Sequence, residues 1–300
     1  MRTVLIPGGS GLIGGRLTEL LIERGDRVKH LSRSPRPVDG VEVYQWDIAS
    51  KRIEEGALSG VDAIVHLAGA EIMDKRTLAA RQRVLVSSRV DGIALLRDAL
   101  VDKEHGVQTF VGSSAQGFYV PNLDRPLTEG DEADPGWIGQ LCRVWEEASE
   151  QLTKVGVRVV INRIGLVLSA RGGGLPMMLP PFRKGFAPHF GRGTHMYPWI
   201  HVDDMCRMIL HELDRDDLRG TYNAAAPHPV HQRNLNRAIA GCLGRKVVPM
   251  RVPRFVLKVF LGDRARLLAD SWQLSVERIL DTGFEFRFPH IEDALSNLLG

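Results

Sequence analysis

The chain has 300 residues, of which 44% are hydrophobic, so it is long and apolar enough for one α/β domain with an added lobe. Its formal net charge is only +3, with no basic run, which argues against a nucleic-acid partner. No apolar run approaches the ~20 residues of a membrane span, and the apolar start at residues 4–7 is too short for a signal-peptide core, so no membrane partner is expected.

Strand-like and helix-like segments alternate along the first half of the chain. Apolar runs predict strands at residues 4–7, 27–31, 41–46, 62–67, 109–112 and 157–161. Helical periodicity predicts helices at residues 12–24, 78–101 and 141–155. Repeated β-α units of this kind predict an α/β fold with a doubly wound parallel sheet and helices on both faces.

The second half of the chain has a different pattern. Glycine and proline crowd residues 172–193, which predicts a long, partly irregular segment. A helix capped by Asp203 is predicted at residues 203–213, a strand at 220–225, and mainly helix from 231 onwards. We expect residues 1–165, with about 200–228, to form the sheet domain, and about 166–199 and 229–300 to form a smaller, mainly helical C-terminal substrate lobe.

The segment from Val4 to Gly15 carries the strongest functional signal. A short strand meets glycines spaced Gly8-x-x-Gly11-x-x-Gly14, and a helix follows at once. A helix N-terminus offers unpaired amide donors and the positive end of its dipole, and glycines let a pyrophosphate come close. The sequence therefore predicts a dinucleotide site in a Rossmann fold, with cofactor-binding residues Gly8, Ser10, Gly11, Leu12, Ile13 and Gly14.

The residues after the second predicted strand indicate which dinucleotide is bound. NAD-selective sites place Asp or Glu there for the ribose 2′-hydroxyl, whereas this chain has Ser32-Arg33-Ser34. A guanidinium suits phosphate geometry, so Ser32 and Arg33 predict NADP(H) rather than NAD. The alternative is an exposed, solvated arginine at a strand end.

Two further strand ends are candidate cofactor contacts. Asp47 and Ile48 follow the third strand, where a carboxylate meets an adenine amino group or caps a turn. Leu67, Ala68 and Gly69 follow the fourth strand, where small residues admit a cofactor or allow tight packing between strand and helix. Both alternatives stay open for each segment.

Together these residues resemble the extended short-chain dehydrogenase/reductase superfamily, over nearly the whole chain. Several motifs in order resemble one branch, the epimerase family of NADP-dependent oxidoreductases, which carries its own small C-terminal domain; they lie at residues 87–90, 172–176, 179–182, 199–204 and 282–289. The resemblance implies cofactor contacts from Arg89 and a homodimer formed through the helices at 78–101 and 141–155. Lys75-Arg76-Thr77 stands where the branch usually has an Arg-Trp pair.

The usual catalytic signature of the superfamily is missing. Its enzymes use Tyr-x-x-x-Lys, in which the lysine lowers the tyrosine pKa for proton transfer. Taking Glu146 as the helix glutamate of the family pattern places Ile138 and Cys142 at the tyrosine and lysine positions, and a shift by one residue gives Gly139 and Arg143. Neither register supplies the pair, although Ile138 still lies where the resemblance implies a cofactor contact.

Proton donors must therefore come from elsewhere if hydride transfer occurs. Ser113 and Ser114 follow the fifth strand and are candidates for polarising a carbonyl, and Tyr119 lies five residues further on. For Tyr119, a half-buried ring with its hydroxyl at the surface is the favoured alternative. For His201 a packed, hydrogen-bonded ring is favoured, and for Cys142 an inert thiol.

Residues 172–193 also contain a flexible apolar stretch rich in methionine and proline. Such a wall adapts to varied ligands, and Arg171, Arg183, Lys184 and Arg192 add positive charge suited to an anionic substrate. The alternative is a connector that packs under the second lobe.

The leading hypothesis is an NADP(H)-dependent oxidoreductase acting on an unknown small-molecule carbonyl or alcohol. The alternative is a non-catalytic NADPH-binding regulatory or scaffold protein, and nucleotide-sugar epimerisation ranks third because the usual base is absent. Cys142, Cys206 and Cys242 are odd in number and lack metal-ligand spacing, so we expect reduced thiols, no metal and a cytoplasmic protein.

Overall fold

A largely parallel sheet forms the centre of the protein. The computed structural model describes residues 1–70, 72, 79–101, 104–253 and 270–300. Eight of the described strands form the sheet in the order β13-β8-β6-β5-β1-β2-β3-β4, and only the β3–β4 pair is antiparallel. These strands are β1 (Thr3–Pro7), β2 (Arg27–Ser32), β3 (Val41–Asp47), β4 (Arg52–Ile53), β5 (Ala63–His66), β6 (Thr109–Ala115), β8 (Arg158–Ile164) and β13 (Gly220–Ala224). The predicted doubly wound sheet is confirmed.

Helices cover both faces of this sheet. Helices α1 (Leu12–Glu23) and α5 (Val202–Asp214) pack together on one face, and α2 (Ala79–Val101) and α3 (Trp137–Glu150) pack together on the other. Each face has its own apolar core, the first including Leu17 and Met205 and the second Ile93 and Trp145. Strands buried on both faces explain the continuous apolar runs of the sequence.

The chain reverses its winding direction between β1 and β5. From β1 it passes through α1 to β2 and β3 on one side, whereas β5, β6 and β8 lie on the other side. The carboxyl ends of β1 and β5 stay joined, since the Leu67 amide donates to the Pro7 carbonyl at 2.9 Å. Ligands of open α/β sheets bind at such a switch point.

The second half of the chain builds a smaller body with its own apolar core. It contains α4 (Gly174–Arg183), β10 (Phe186–Phe190), α6 (Gln232–Cys242) and β15 (Val248–Val252). The short helix α7 (Glu277–Leu280) instead packs against β13 and places Ile279 in the first core of the sheet, and α8 (Ile291–Leu299) returns to the smaller body. Further short strand pairs lie outside the large sheet: β7 (Asn122–Leu127) with β16 (Trp272–Leu274), β9 (Leu166–Leu168) with β12 (Trp199–His201), and β11 (Met196–Tyr197) with β14 (Val230–His231). The predicted division into two domains stays a prediction.

Two segments differ in detail from the helices predicted from the sequence. Residues 172–193, predicted as a partly irregular segment, contain the helix α4, which buries Leu175, Leu179 and Phe182 at helical spacing despite the internal Pro180 and Pro181. These prolines lie in its last turns, where the Lys184 amide closes the helix on the Pro181 carbonyl at 3.0 Å. Helix α3 begins at Trp137 rather than at residue 141.

The cap of α5 also differs from the prediction. His201 is the N-cap residue, and its Nδ1 accepts a hydrogen bond from the Asp203 amide at 3.0 Å. Asp203 lies within the first turn, where its carboxylate accepts from Arg16 Nε at 2.8 Å. The acidic residue therefore joins α5 to α1 instead of capping its own helix. Among the described residues, no helix is both long and apolar enough to cross a membrane.

Glu212 of α5 makes protein stability depend on pH. Its side chain is fully buried, accepts from Asn162 Nδ2 at 2.8 Å, and has its pKa raised to about 8 by burial. The folded protein thus holds a proton that the unfolded chain releases near pH ~4.3, so stability falls as the pH rises between these values, by up to ~1.4 kcal/mol per pH unit. We expect Glu212→Gln to remove this loss, measured by urea unfolding at about pH 6 and about pH 8. Glu55→Gln, at an exposed site, should leave the pH dependence unchanged, and an unaltered slope in Glu212→Gln would contradict the assignment.

Candidate functional site

The loop between β1 and α1 can be formed only with glycine at two positions. Gly8 has φ +87°, and a Cβ on it would lie 2.6 Å from the Ala68 amide nitrogen. A Cβ on Gly14 would lie 2.7 Å from Gly9 Cα and would overlap the Gly8 carbonyl oxygen. The loop is therefore pressed between α1 and the chain that follows β5, which leaves its outer side for a ligand.

The N-terminus of α1 presents its amide groups without a protein cap. Gly11 is the N-cap residue and contributes no side-chain bond, and the first turn, which includes Leu12 and Ile13, contains no acidic residue. Ser10 and Gly11 are exposed. By contrast, α5 has a capping side chain and two acidic residues in its first turn. An uncapped, acid-free helix start suits an anion.

A buried histidine under the loop was not predicted from the sequence. The His30 ring of β2 fills the space in which a Cβ on Gly9 would lie, and its Nε2 is 2.8 Å from Thr18 Oγ1. The Thr18 hydroxyl donates to the Gly14 carbonyl at 2.8 Å, so His30 donates to Thr18, and burial lowers the His30 pKa. This neutral pair supports the loop from inside the protein. A polar residue within a buried strand was the available signal.

Ser32 and Arg33 lie at the carboxyl end of β2. Ser32 Oγ accepts from the Ser34 amide at 3.2 Å, and Arg33 is exposed. Within the described part of the chain, the Arg33 guanidinium has no ion pair and no side-chain hydrogen bond. An unpaired guanidinium at this strand end is available to a ligand phosphate.

Asp47 and Ile48 follow β3 at the rim of the same edge. Asp47 Oδ1 accepts from the Ala49 and Ser50 amides at 2.9 and 3.3 Å, and hydrogen bonds from Ser50 lower the Asp47 pKa. Ile48 packs towards Gly92 of α2. Asp47 Oδ1 thus caps the turn, as the alternative predicted. The residue nevertheless lies at the strand end where we predict the adenine of the cofactor.

Arg89 places a buried cation beside Leu67, Ala68 and Gly69. It is 6% exposed, donates to the Ala70 carbonyl at 3.2 Å, and lies 4.7 Å from the centre of the Trp145 ring. Its Nε has no hydrogen-bond partner among the residues that the structure describes, and burial lowers its pKa to about 10, so it remains charged at neutral pH. No carboxylate pairs with it among the described residues. A buried cation without a counter-ion at this edge fits a ligand that supplies polar oxygens.

Helix α3 presents Ile138, Cys142 and Glu146 on one buried face towards the sheet. Ile138 has no group that can donate a proton. Cys142 is a poor donor at neutral pH because burial raises its pKa to about 12. The structure therefore contains an apolar surface at the two positions where the sequence resemblance predicts the Tyr and Lys of the superfamily signature. Cys142 has the properties of an inert thiol.

Tyr119 does not have the surface-exposed hydroxyl that was favoured for it. It is 1% exposed, donates to Asn223 Oδ1 at 2.7 Å, and accepts from Arg163 at 2.8 Å. Burial raises its pKa to about 12. With both hydrogen-bonding roles filled inside the protein, Tyr119 is a poor proton donor, which corrects its proposed catalytic role.

The partner of Tyr119 belongs to a buried ion pair that the sequence analysis missed. Arg163 of β8 donates to Glu146 through Nε and Nη2, both at 2.9 Å, and its guanidinium carbon lies 3.4 Å from the centre of the Phe118 ring. Ser114 Oγ donates to the same carboxylate at 2.5 Å. An arginine inside an apolar strand was the signal for such a pair.

The two candidate serines therefore differ in their freedom. Ser114 is held by the charged Glu146, whereas Ser113 Oγ makes a longer bond of 3.2 Å to the His66 carbonyl. Ser113 also lies at the carboxyl edge of β6, two strands from β1. Ser113 is the better placed hydroxyl for a ligand carbonyl.

His201 is packed and hydrogen-bonded, as predicted. Its ring centre lies 4.0 Å from that of Phe288, Nδ1 accepts from the Asp203 amide, and burial lowers its pKa. It holds the C-terminal segment against α5, which is a structural role.

The glycine-rich segment before α4 begins next to the loop after β1. A Cβ on Gly173 would lie 2.9 Å from a Leu12 methyl carbon, and Arg171 forms an ion pair with Glu19 of α1. Helix α4 turns Leu179 and Phe182 into the core of the second body, whereas Met177 is 71% exposed. The connector interpretation describes most of this segment.

The altered Lys75-Arg76-Thr77 triplet lies outside the described residues.

Comparison with known proteins agrees with this geometry. Residues 4–225 match the NAD dependent epimerase/dehydratase family, and residues 252–298 match a domain of unknown function, DUF1731. The chain belongs to the NAD dependent epimerase/dehydratase family. The resemblance noted in the sequence is thereby confirmed.

Relatives within this family align over nearly their whole length. The mouse epimerase family protein SDR39U1 is 31% identical, with 99% of each chain covered, and a Mycobacterium bovis epimerase family protein is 32% identical, with 97% of this chain and 96% of the relative covered. The crystal structure of human SDR39U1 (isoform 2) with NADPH superposes with a TM-score of 0.88 at 30% identity, covering 99% of each chain. A UDP-glucose 4-epimerase from Thermotoga maritima, at 19% identity and a TM-score of 0.81 over 99% of this chain and 97% of the other, shares the fold.

Proposed function

We propose that this family member binds NADP(H) at the glycine loop. The observation that carries the proposal is the uncapped N-terminus of α1, with the unpaired Arg33 at the end of the neighbouring strand. The first is suited to a pyrophosphate and the second to a 2′-phosphate. The structure of the human relative with NADPH supports the same choice of cofactor.

The described residues fit each part of the cofactor. Amides of Ser10, Leu12 and Ile13 would hold the pyrophosphate, and Ser32 with Arg33 would hold the 2′-phosphate. Ala68 and the buried Arg89 would meet the ribose side, where the unpartnered Nε of Arg89 needs an acceptor.

Replacing Arg33 should reduce the preference for NADPH. We expect Arg33→Ala to weaken NADPH binding by about 10- to 100-fold, because a charge-assisted phosphate contact contributes ~1.5–3 kcal/mol, and to leave NADH binding unchanged. Calorimetric titration of both cofactors measures this. Arg36→Ala removes another exposed cation from the same loop and is the matched control. Equal losses for both cofactors would mean that Arg33 does not bind the 2′-phosphate.

The activity that we propose is NADP(H)-dependent oxidoreduction of a small-molecule carbonyl or alcohol. Bound NADPH supplies a hydride to the carbonyl carbon. Ser113 donates a hydrogen bond to the carbonyl oxygen and orients it, while Ile138 and Cys142 form an apolar wall. In the absence of a Tyr-Lys pair, we propose that the proton comes from solvent, and turnover should be slow.

Turnover and its dependence on Ser113 test this proposal. NADPH oxidation is followed with a panel of aldehydes and ketones. Ser113→Ala should lower kcat/KM by about tenfold, the equivalent of one hydrogen bond, without changing NADPH affinity. Tyr119→Phe should preserve turnover per folded molecule, since its hydroxyl bonds only within the protein. Full activity of Ser113→Ala, or loss of turnover in folded Tyr119→Phe, would contradict these roles.

A non-catalytic NADPH-binding protein is the second candidate. Two observations favour it. The hydroxyls of Tyr119 and Ser114 are buried and hydrogen-bonded within the protein, and the apolar Ile138 occupies the position predicted for the usual tyrosine. NADPH binding without oxidation above background across the carbonyl panel would establish this candidate. Epimerisation is disfavoured because it needs a base that removes a hydroxyl proton and returns it.

A further inference from the structure

The parallel strand pair β10–β15 exposes an apolar face. Ala187 points into the core of the second body, so the alternating residues Phe186 and Pro188 point away from it. Their register partners Val248 and Met250 share that outer face. Phe186, Val248 and Met250 are 46, 64 and 42% exposed, respectively, which is unusual for three large apolar residues on one small strand pair.

Both strands are entered through a pair of cations. Arg183-Lys184 precedes β10 and Arg245-Lys246 precedes β15, and the Val248 amide donates to the Gly185 carbonyl at 2.9 Å. Since the strands are parallel and paired from their first residues, the two dibasic pairs lie at the same end of the strand pair. All four side chains are exposed, and none has an ion pair or side-chain hydrogen bond to another described residue.

The surrounding sequence contains no acidic residue to neutralise these cations. Residues 171–202 and 218–262 lack Asp and Glu entirely, although the whole chain has a formal net charge of only +3. The positive charge is therefore concentrated on the second body. The two dibasic pairs are far apart in sequence, so they form no continuous basic run in the chain.

We propose that the β10–β15 pair docks on the surface of an anionic phospholipid membrane. Four clustered cations suit anionic headgroups, and Phe186, Val248 and Met250 enter the interface between headgroups and acyl chains. The proposal departs from the sequence-based expectation of no membrane partner, which rested on the absence of a spanning segment and of a basic run. A peripheral contact needs neither.

Other occupants fit the face less well. A second copy docked about a two-fold axis through this face would bring two sets of four cations together, which is unfavourable. A nucleic acid would use the cations, but the outer face offers aliphatic side chains where stacking platforms need aromatic rings, with Phe186 as the sole exposed aromatic of the three.

Vesicle flotation with the full-length protein tests the proposal. Phosphatidylcholine vesicles with about a third phosphatidylglycerol should bind the protein, and pure phosphatidylcholine vesicles should not. Binding should fall steeply at about 0.5 M NaCl, where the Debye length is about 4 Å. Lys184→Glu with Lys246→Glu should weaken binding by about thirtyfold or more, and Val248→Ser with Met250→Ser by about tenfold.

The control is a double variant at the amino ends of two strands of the large sheet. Arg27→Glu with Arg219→Glu makes the same change in net charge at two exposed sites, at the first residue of β2 and just before β13, and should retain vesicle binding. Circular dichroism and NADPH affinity check that each variant is folded. Three outcomes would overturn the proposal: no binding to anionic vesicles at low salt, an equal loss in the control, or binding insensitive to the Ser substitutions and matched by a single-stranded oligonucleotide of the same charge.

Discussion

Gly14→Ala is expected to lower NADPH affinity by about a hundredfold or more. The added Cβ would lie 2.7 Å from Gly9 Cα and would overlap the Gly8 carbonyl, so the contact is with backbone that no side-chain rotation relieves. Relaxation must move the loop away from α1, at a cost of ~1–3 kcal/mol in overpacking, and it disperses the amide groups that bind the pyrophosphate. Titration calorimetry measures the loss directly.

The neighbouring glycine provides the control for this experiment. A Cβ on Gly15 would meet nothing closer than the Gly9 carbonyl at 3.9 Å, an ordinary contact. Gly15→Ala should therefore keep NADPH affinity and, as alanine favours helix more than glycine, raise stability by ~0.5–1 kcal/mol. If Gly14→Ala binds NADPH as tightly as Gly15→Ala does, the loop is not the binding site.

Removing Arg163 is expected to cost about 3–5 kcal/mol of folding free energy. The substitution Arg163→Leu leaves Glu146, which is 6% exposed, as a buried carboxylate with only Ser114 beside it, and also removes a donor to Tyr119. Arg163→Lys should recover only part of the loss because a lysine cannot reproduce the bidentate contact. Urea unfolding measures each value.

An exposed ion pair on α3, the helix that carries Glu146, provides the matched comparison. Arg143 lies 3.8 Å from Glu147, and both side chains are more than half exposed. Arg143→Leu should change stability by less than about 1 kcal/mol, as is usual for surface pairs. The double variant Arg163→Leu with Glu146→Leu should be more stable than Arg163→Leu alone, since it leaves no unpaired charge. Equal costs for Arg163→Leu and Arg143→Leu would contradict the importance of burial.

The sequence predicted the sheet and the cofactor end of the site because both depend on local patterns. The β-α alternation follows from short apolar runs and helical periodicity. Gly8, Gly11 and Gly14 lie within a few residues of one another, and Arg33 follows a strand whose position that pattern had already fixed. The helix α4 within the partly irregular segment was not predicted, because Pro180 and Pro181 disfavour a helix that tertiary packing of Leu179 and Phe182 stabilises.

The chemistry above the cofactor could not be predicted in the same way. The burial of Tyr119 depends on Arg163 and Asn223, which reach it from the separate strands β8 and β13. The four cations of the β10–β15 pair come together only through strand pairing. Such features depend on which distant segments become neighbours, and that information is not contained in local periodicity or motif spacing.

We propose that the loop after β1, together with Arg33, forms a site selective for NADP(H). Calorimetric titration of the wild-type protein with NADPH and with NADH under one buffer condition tests it most directly. We expect one site per chain and an affinity for NADPH at least about tenfold higher than for NADH. Equal affinities, tighter binding of NADH, or no binding of either cofactor would contradict it.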